Sequence, residues 1–154
     1  MPVIANINST VIGNHRPAIQ ARIMGSIESP QLDEVKTLFF LIDSGAVYTT
    51  IMPFDVHTLG IDWENLPLAD FNCKGASGES FRPRLLKNVK IHLNEEKITG
   101  TIDKSIELPS INIEEVPDKL TYDPDPFSIL GMDVLSMFQI WRWQFRSGKL
   151  FLLE

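Results

Sequence analysis

Hydrophobic and polar residues alternate along much of this 154-residue chain. Residues 18–24 (AIQARIM), 89–93 (VKIHL) and 97–102 (KITGTI) place apolar residues at every second position. This period of two predicts strands with one buried face. Residues 37–42 (TLFFLI) are almost entirely apolar, so we expect a central strand that is buried on both faces.

Signals for turns and helices are fewer than signals for strands. The residues NEE at 94–96 predict one hairpin turn, and RSGK at 146–149 predicts another between two C-terminal strands. The segment 53–60 (PFDVHTLG) opens with proline and closes with glycine, which is typical of a short helix. The segment 132–138 (MDVLSMF) has apolar residues at helical spacing. These patterns together predict an all-β domain with one or two short helices.

The chain has the length of a single domain. We expect residues 1–154 to form one domain, with 1–15 as an N-terminal extension and 139–154 as a C-terminal hairpin. Residues 107–127 contain four prolines and several acids, so we expect an irregular insertion there.

Composition and charge exclude several classes of function. The hydrophobic fraction of 44% and the charged fraction of 22% are ordinary for a globular protein. The net charge of −6 and the lack of a basic cluster argue against a nucleic-acid partner. No apolar stretch approaches the roughly 20 residues of a membrane span, and the N-terminus does not resemble a secretory signal. We therefore expect a cytoplasmic protein without a membrane span.

The residues that often carry chemistry are mostly placed unfavourably for it. His15, His57 and His92 lack the spacing of metal ligands, so we predict no metal site and no cofactor. Ser77 lies between glycines, but its spacing does not fit the nucleophile elbow of serine hydrolases. Cys73 is the single cysteine, so no disulfide can form within the chain. Its pairing with a histidine for thiol catalysis is a less favoured alternative.

One carboxylate stands out because of its position. In residues 39–46 (FFLIDSGA), Asp43 comes directly after four apolar residues and is followed by a hydroxyl and a glycine. An ionised carboxylate is costly to desolvate unless it is paired or hydrogen-bonded. A turn that closes a strand would explain this aspartate, and so would a catalytic acid held at a fixed point.

Three segments resemble the retropepsin-like aspartic proteases, which are single-lobed relatives of the pepsins. Residues 39–51 (FFLIDSGAVYTTI) are similar to the catalytic segment of that family, and residues 74–80 (KGASGES) to the tip of its flap hairpin. Residues 128–138 (SILGMDVLSMF) are similar to its second signature, in which a glycine leads into a short helix. The segments occur in the family's order and span most of the chain.

The resemblance implies a fold and a set of site residues. It implies an acid-protease β-barrel in which Asp43 is catalytic and Ser44, Gly45, Ala46 and Gly131 support the active-site loop. Ser44 would brace the two halves of a dimer, Gly45 would offer backbone contacts, and Gly131 would allow a close backbone approach. It also implies a flap over an extended peptide substrate, formed by Gly75, Ala76, Ser77 and Gly78.

The chemistry of this family requires two carboxylates that share a proton. The chain has one Asp-Ser-Gly sequence, and Asp133 is interpreted as an acid at the start of a helix. The second carboxylate must therefore be Asp43 of another copy, so the hypothesis requires a symmetric homodimer. The function predicted in this way is aspartic endopeptidase activity without metal or cofactor.

Two alternatives remain open from the sequence. The first is a non-catalytic peptide-binding or dimerisation module that retains the acid-protease fold. The second is an unrelated small β-barrel in which Asp43 is structural. Trp141 and Trp143 alternate on a predicted strand, and we interpret them as core or dimer contacts.

Overall fold

The computed structural model describes residues 3–12, 16–74, 78–97, 100–120 and 127–154 of the chain. In these ranges the chain forms eleven strands, two short α-helices (α1, Pro53–Thr58; α2, Met132–Leu135) and one 3₁₀ turn (Trp63–Asn65). The strands are β1 (Val3–Ile12), β2 (Arg16–Glu28), β3 (Lys36–Ile42), β4 (Thr50–Ile51), β5 (Cys73–Lys74), β6 (Ser80–Phe81), β7 (Arg84–Lys97), β8 (Gly100–Ile113), β9 (Ser128–Leu130), β10 (Ile140–Gln144) and β11 (Lys149–Leu153).

Nine of these strands form one sheet in the order β10-β11-β1-β2-β3-β9-β4-β8-β7. Because β7 also pairs with β2, the six strands β2, β3, β9, β4, β8 and β7 close into a barrel. β5 and β6 form a separate two-stranded hairpin. The fold is thus all-β with two short helices, as the residue pattern predicts.

The barrel wall follows from the alternation of apolar residues. Side chains that point inward form the core, among them Ile23, Ile27, Phe40, Ile91, Leu93, Leu130 and Leu150. Neighbouring residues on the same strands point outward, because successive side chains lie on opposite faces of a strand. None of the helices in the described ranges has the length and apolar character that crossing a membrane requires.

The expectation that residues 37–42 are buried on both faces is wrong. β3 buries Leu38 and Phe40, whereas the Phe39 side chain is 51% exposed. Phe39 lies opposite Met24 of β2, which is also exposed. The wall of the barrel is a single layer, so only its inner face is covered, and the apolar run does not reveal which residues point outward.

The hairpin of β7 and β8 is longer than the sequence suggests. Residues 94–96, predicted as its turn, continue β7 and pair with residues 101–103 of β8. The connection lies between Lys97 and Gly100, where residues 98–99 are outside the described residues. The prediction of a turn at 94–96 is therefore wrong, because polar residues within a strand give the same local signal as turn residues.

The segments expected to flank the domain contribute to its sheet. Residues 3–12, expected to be part of an extension, form β1 between β2 and β11. Within 107–127, residues 107–113 complete β8 and 114–120 have no regular structure, while 121–126 lie outside the described residues. β10 and β11 form a hairpin within 139–154.

A buried serine joins α1 to β9. Ser128 is fully buried, and its hydroxyl donates to Asp55 Oδ2 at 2.5 Å and accepts the Met52 N–H at 3.0 Å. The serine thereby provides partners for two polar groups at the start of α1, where backbone N–H groups lack partners within the helix. It also anchors the strand that leads to Gly131.

We expect Ser128→Ala to lower the free energy of unfolding by about 1–3 kcal/mol, because two partly buried polar groups lose their partner. Urea unfolding at one protein concentration measures this loss. Ser136→Ala is the matched control, since Ser136 is exposed at the end of α2, and its effect should be within about 0.5 kcal/mol. Equal effects of the two changes would contradict the role assigned to Ser128.

Candidate active site

Asp43 lies in a tight turn directly after β3. Its N–H donates to the Leu130 carbonyl of the parallel strand β9 at 3.2 Å, and its carbonyl accepts the Ala46 N–H at 3.2 Å. Its carboxylate atom Oδ1 accepts the Gly45 N–H at 2.8 Å. The turn and the neighbouring strand therefore hold the carboxylate at one position at the end of the strand.

The tip of this turn is accessible to solvent. Asp43 and Ala46 are partly exposed, and Ser44 and Gly45 are exposed. A Cβ atom on residue 45 would lie 3.1 Å from Asp43 Oδ1, which is closer than most Cβ contacts. Glycine at this position thus favours the bond between its N–H and the carboxylate, and it leaves the carboxylate open to a reactant.

Gly131 lets a second segment approach the turn at backbone distance. A Cβ atom on residue 131 would lie 2.6 Å from the backbone carbon of Tyr48, which is too close for any side chain. The Gly131 N–H donates to Thr49 Oγ1 at 3.1 Å. The backbones of the Asp43 segment and the β9–α2 segment are therefore in direct contact here.

The start of α2 is joined to the same loop. The Met132 N–H donates to the Ala46 carbonyl at 2.8 Å, and the Asp133 N–H donates to the Val47 carbonyl at 3.1 Å. The first N–H groups of a helix have no hydrogen-bond partner within the helix, and here the carbonyls of the loop are their partners. Residues 46 and 47 are thus held by backbone bonds that do not depend on side-chain identity.

Thr49 and Asp133 complete this connection. Thr49 Oγ1 donates to Asp133 Oδ1 at 2.7 Å, and the Thr49 N–H donates to Asp133 Oδ2 at 2.9 Å. Thr49 is fully buried, and Asp133 Oδ1 also accepts the Val134 N–H at 2.9 Å. Asp133 is at the start of α2, as expected, but its carboxylate mainly binds the threonine. No local sequence pattern indicates this pair, because the two residues are 84 positions apart.

Two exposed apolar residues follow the turn. The side chain of Val47 is 65% exposed and that of Tyr48 is 45% exposed. The Tyr48 ring stacks on Phe71, with ring centroids 5.2 Å apart, and Phe71 leads into the hairpin of β5 and β6. This stack connects the Asp43 turn to the base of the hairpin, and the sequence patterns did not predict it.

The hairpin of β5 and β6 occupies the position of the predicted flap along the chain. Cys73 pairs with Phe81, and Lys74 pairs with Ser80. Gly78 has a φ of +81°, a conformation that favours glycine, and lies in the connection between the two strands. The other predicted flap residues, Gly75, Ala76 and Ser77, lie outside the described residues.

Neither the cysteine nor the histidines form a catalytic pair in the part of the chain that the structure describes. Cys73 Sγ accepts a weak hydrogen bond from Asn112 Nδ2 at 3.5 Å, and burial raises the pKa of the thiol. The thiol is therefore protonated at neutral pH and is a weak nucleophile. His92 contacts Ser105 and Glu28. No three His, Cys, Asp or Glu side chains in the described ranges lie close enough to hold a metal ion.

No family model and no curated protein match the sequence. Solved structures do match, among them a retropepsin-like aspartic protease from Rickettsia conorii. The similarity covers 99% of this chain and 98% of that chain, with a TM-score of 0.53 and 18% sequence identity. The fold is retropepsin-like. At this identity the similarity establishes the fold, and the chemistry must be argued from the residues.

We expect Thr49→Val to lower the free energy of unfolding by about 2–3 kcal/mol, because the Asp133 carboxylate and the Gly131 N–H lose a buried partner. Valine keeps the shape of threonine, so the change tests the hydroxyl. Thr50→Val is the neighbouring control, since Thr50 Oγ1 makes one recorded bond, to the Tyr48 carbonyl at 3.2 Å. Urea unfolding of both variants should show the larger loss for Thr49, and the reverse order would contradict the connection.

Proposed function

We propose that the protein is an aspartic endopeptidase whose active site forms where two copies of the chain meet. The observation that carries this proposal is the position of Asp43 at the exposed end of β3, where its carboxylate accepts the Gly45 N–H and its own backbone N–H donates to the Leu130 carbonyl. The retropepsin-like fold supports it, because the Rickettsia protein with this fold is an aspartic protease.

The proposal requires a second carboxylate within hydrogen-bonding reach of the first. Asp133 is bonded to the loop that follows the turn, but both of its carboxylate oxygens already accept hydrogen bonds from Thr49. A two-fold axis at the exposed tip of the turn would instead bring Asp43 of a second copy to the site. The substrate-binding unit is therefore a homodimer.

The two carboxylates would share one proton, because two negative charges about 3 Å apart are strongly unfavourable. The ionised Asp43 acts as general base on a water molecule, which attacks the peptide carbonyl carbon. The protonated Asp43 donates to the carbonyl oxygen and later helps to protonate the leaving amine. The peptide bond breaks without a covalent intermediate.

Other residues of the turn and the hairpin position the reactants. Ser44 at the exposed tip can bond to the second copy, and Gly45 presents its backbone beside the carboxylate. Gly131 keeps the second segment against the turn. By the family resemblance, residues 74–80 would close over an extended peptide and exclude water.

The C-terminal hairpin supports the homodimer. β10 is an edge strand in which Ile140 and Trp143 are 55% and 38% exposed, and Phe145, directly after it, is 63% exposed. The rings of Trp143 and Phe145 stack 5.9 Å apart, whereas Trp141 packs against the core. An edge strand with exposed apolar side chains is a surface that another chain can cover.

We expect the purified protein to cleave a peptide library at acidic pH. We expect Asp43→Asn to lower the rate at least about 100-fold, because the two Asp43 side chains then supply neither the general acid nor the general base. Mass spectrometry of the digests measures the cleavage. Asp62→Asn, a change of the same kind at an exposed position, should leave the rate within about twofold.

Sedimentation of the same samples separates the proposal from its alternatives. The wild type and Asp43→Asn should both form dimers, because the substitution preserves shape. A strict monomer at high concentration would remove the second carboxylate and contradict the proposal. Peptide binding without cleavage by either form would instead favour a non-catalytic module with this fold.

A further inference from the structure

An open groove of about 490 Å³ lies between the hairpin and the segment that follows β8. Volumes of roughly 300–1,000 Å³ are usual for ligand sites. Its apolar walls are Leu68, Phe81, Val116 and Pro117. The mechanism proposed for Asp43 does not use this groove.

The groove lies on one face of the hairpin. Cys73 and Phe81 are direct partners across β5 and β6, so their side chains share a face. Phe81 lines the groove and Cys73 contacts Asn112, two positions before Glu114. The Glu114 N–H donates to the Ile51 carbonyl at 3.0 Å, beside the strand that leaves the Asp43 turn. The groove therefore borders the hairpin, and the segment that forms its other side is bonded to β4, the strand that follows the Asp43 turn.

The charges along the groove are unequally matched. Arg84 Nε pairs with Glu115 Oε1 at 2.8 Å and Arg84 Nη1 donates to the Leu66 carbonyl. Arg82 Nε donates to the Ala69 carbonyl. Among the described residues, no donor or cation is bonded to the Glu114 carboxylate, which is only partly exposed. Within the described ranges, Glu114 is thus the carboxylate of the groove without a cationic partner, and Arg82 is bonded to a carbonyl and to no carboxylate.

This carboxylate has an unfavourable environment when the groove is empty. Burial raises the pKa of Glu114 above its ordinary value of 4.5, and no positive charge nearby lowers it. The thiol of Cys73 on the hairpin, whose pKa burial raises, is neutral or anionic and so offers no positive charge to Glu114. A cation entering from outside would do so.

The free energy of unfolding should therefore fall as the pH rises through the window between 4.5 and the raised pKa of Glu114, because the folded state binds the proton more tightly. We expect Glu114→Gln to be more stable than the wild type at about pH 8 and to match it near pH 4. Urea unfolding at both pH values measures this. Glu107→Gln, whose side chain is 80% exposed, should show no such gain, and a gain of equal size would contradict the assignment.

We propose that the groove binds a basic side chain, lysine or arginine, of a peptide that extends from the Asp43 turn past the hairpin. The cation would pair with Glu114, and its aliphatic stem would lie along Phe81 and Val116, as long basic side chains do on apolar surfaces. The inference deepens the proposed peptidase function and rests on it, since it names the class of peptide that the enzyme selects.

The test compares two peptide libraries that differ only in carrying lysine and arginine, or glutamine, at the randomised positions. Cleavage by the wild type should be enriched for a basic residue at one fixed distance from the cut bond, and the enrichment should grow towards the upper end of the pH range in which the enzyme is active, because more of Glu114 is ionised there. We expect Glu114→Gln to reduce this enrichment about fivefold to tenfold, and Glu107→Gln to retain it. Enrichment that persists in Glu114→Gln, or cleavage without any basic preference, would overturn the inference while the peptidase function stands.

A binding measurement keeps the two proposals separate. Fluorescence anisotropy on Asp43→Asn, which binds without cutting, should show tighter binding of the basic library than of the glutamine library. This difference in affinity should vanish in the double variant Asp43→Asn, Glu114→Gln. It should persist in the double variant Asp43→Asn, Glu107→Gln. If the wild type cleaves no peptide, the proposed peptidase function is wrong, and this binding comparison alone tests whether the groove binds a basic side chain. Equal binding of both libraries would overturn that inference.

Discussion

The pair of hydrogen bonds between Thr49 and Asp133 is the constraint on which the candidate site depends. It joins the loop after Asp43 to the start of α2, and Gly131 makes the joint possible by leaving no Cβ atom between the two backbones. Without it, the pairing of β3 with β9 and the backbone bonds to residues 46 and 47 would remain, but the buried Thr49 would lose its bonds to α2. The position of the carboxylate therefore depends on groups that take no part in any reaction.

The sequence predicted the class of the fold and the position of the carboxylate, because both are local patterns. Alternation identified the strands, and Asp43 after an apolar run identified the turn. Local patterns do not predict contacts between residues that are far apart in the sequence. The stack of Tyr48 on Phe71 and the bond from Thr49 to Asp133 both depend on how the barrel closes. The exposure of Phe39 was missed for the same reason, since an apolar run does not say how many layers cover it.

Glu114 illustrates how a binding surface differs from the core around it. Most core residues of β8 are apolar, whereas Glu114, directly after that strand, places a partly buried carboxylate without a cationic partner beside Phe81 and Val116. Local rules of packing and charge pairing are usually broken where a protein binds something, because the missing partner belongs to the ligand. The segment that carries this exception is bonded to β4, which follows the Asp43 turn.

The parallel pairing of β3 with β9 also determines when the site can exist during synthesis. β3 and β9 are separated along the chain by most of the barrel, including the long β7–β8 hairpin. Their pairing is therefore a late and entropically costly event. A ribosome-bound chain that has emerged only as far as β8 contains Asp43 and the hairpin but lacks the strand that receives the Asp43 N–H. The carboxylate is thus encoded early, and its turn can be completed only after β9 has been synthesised.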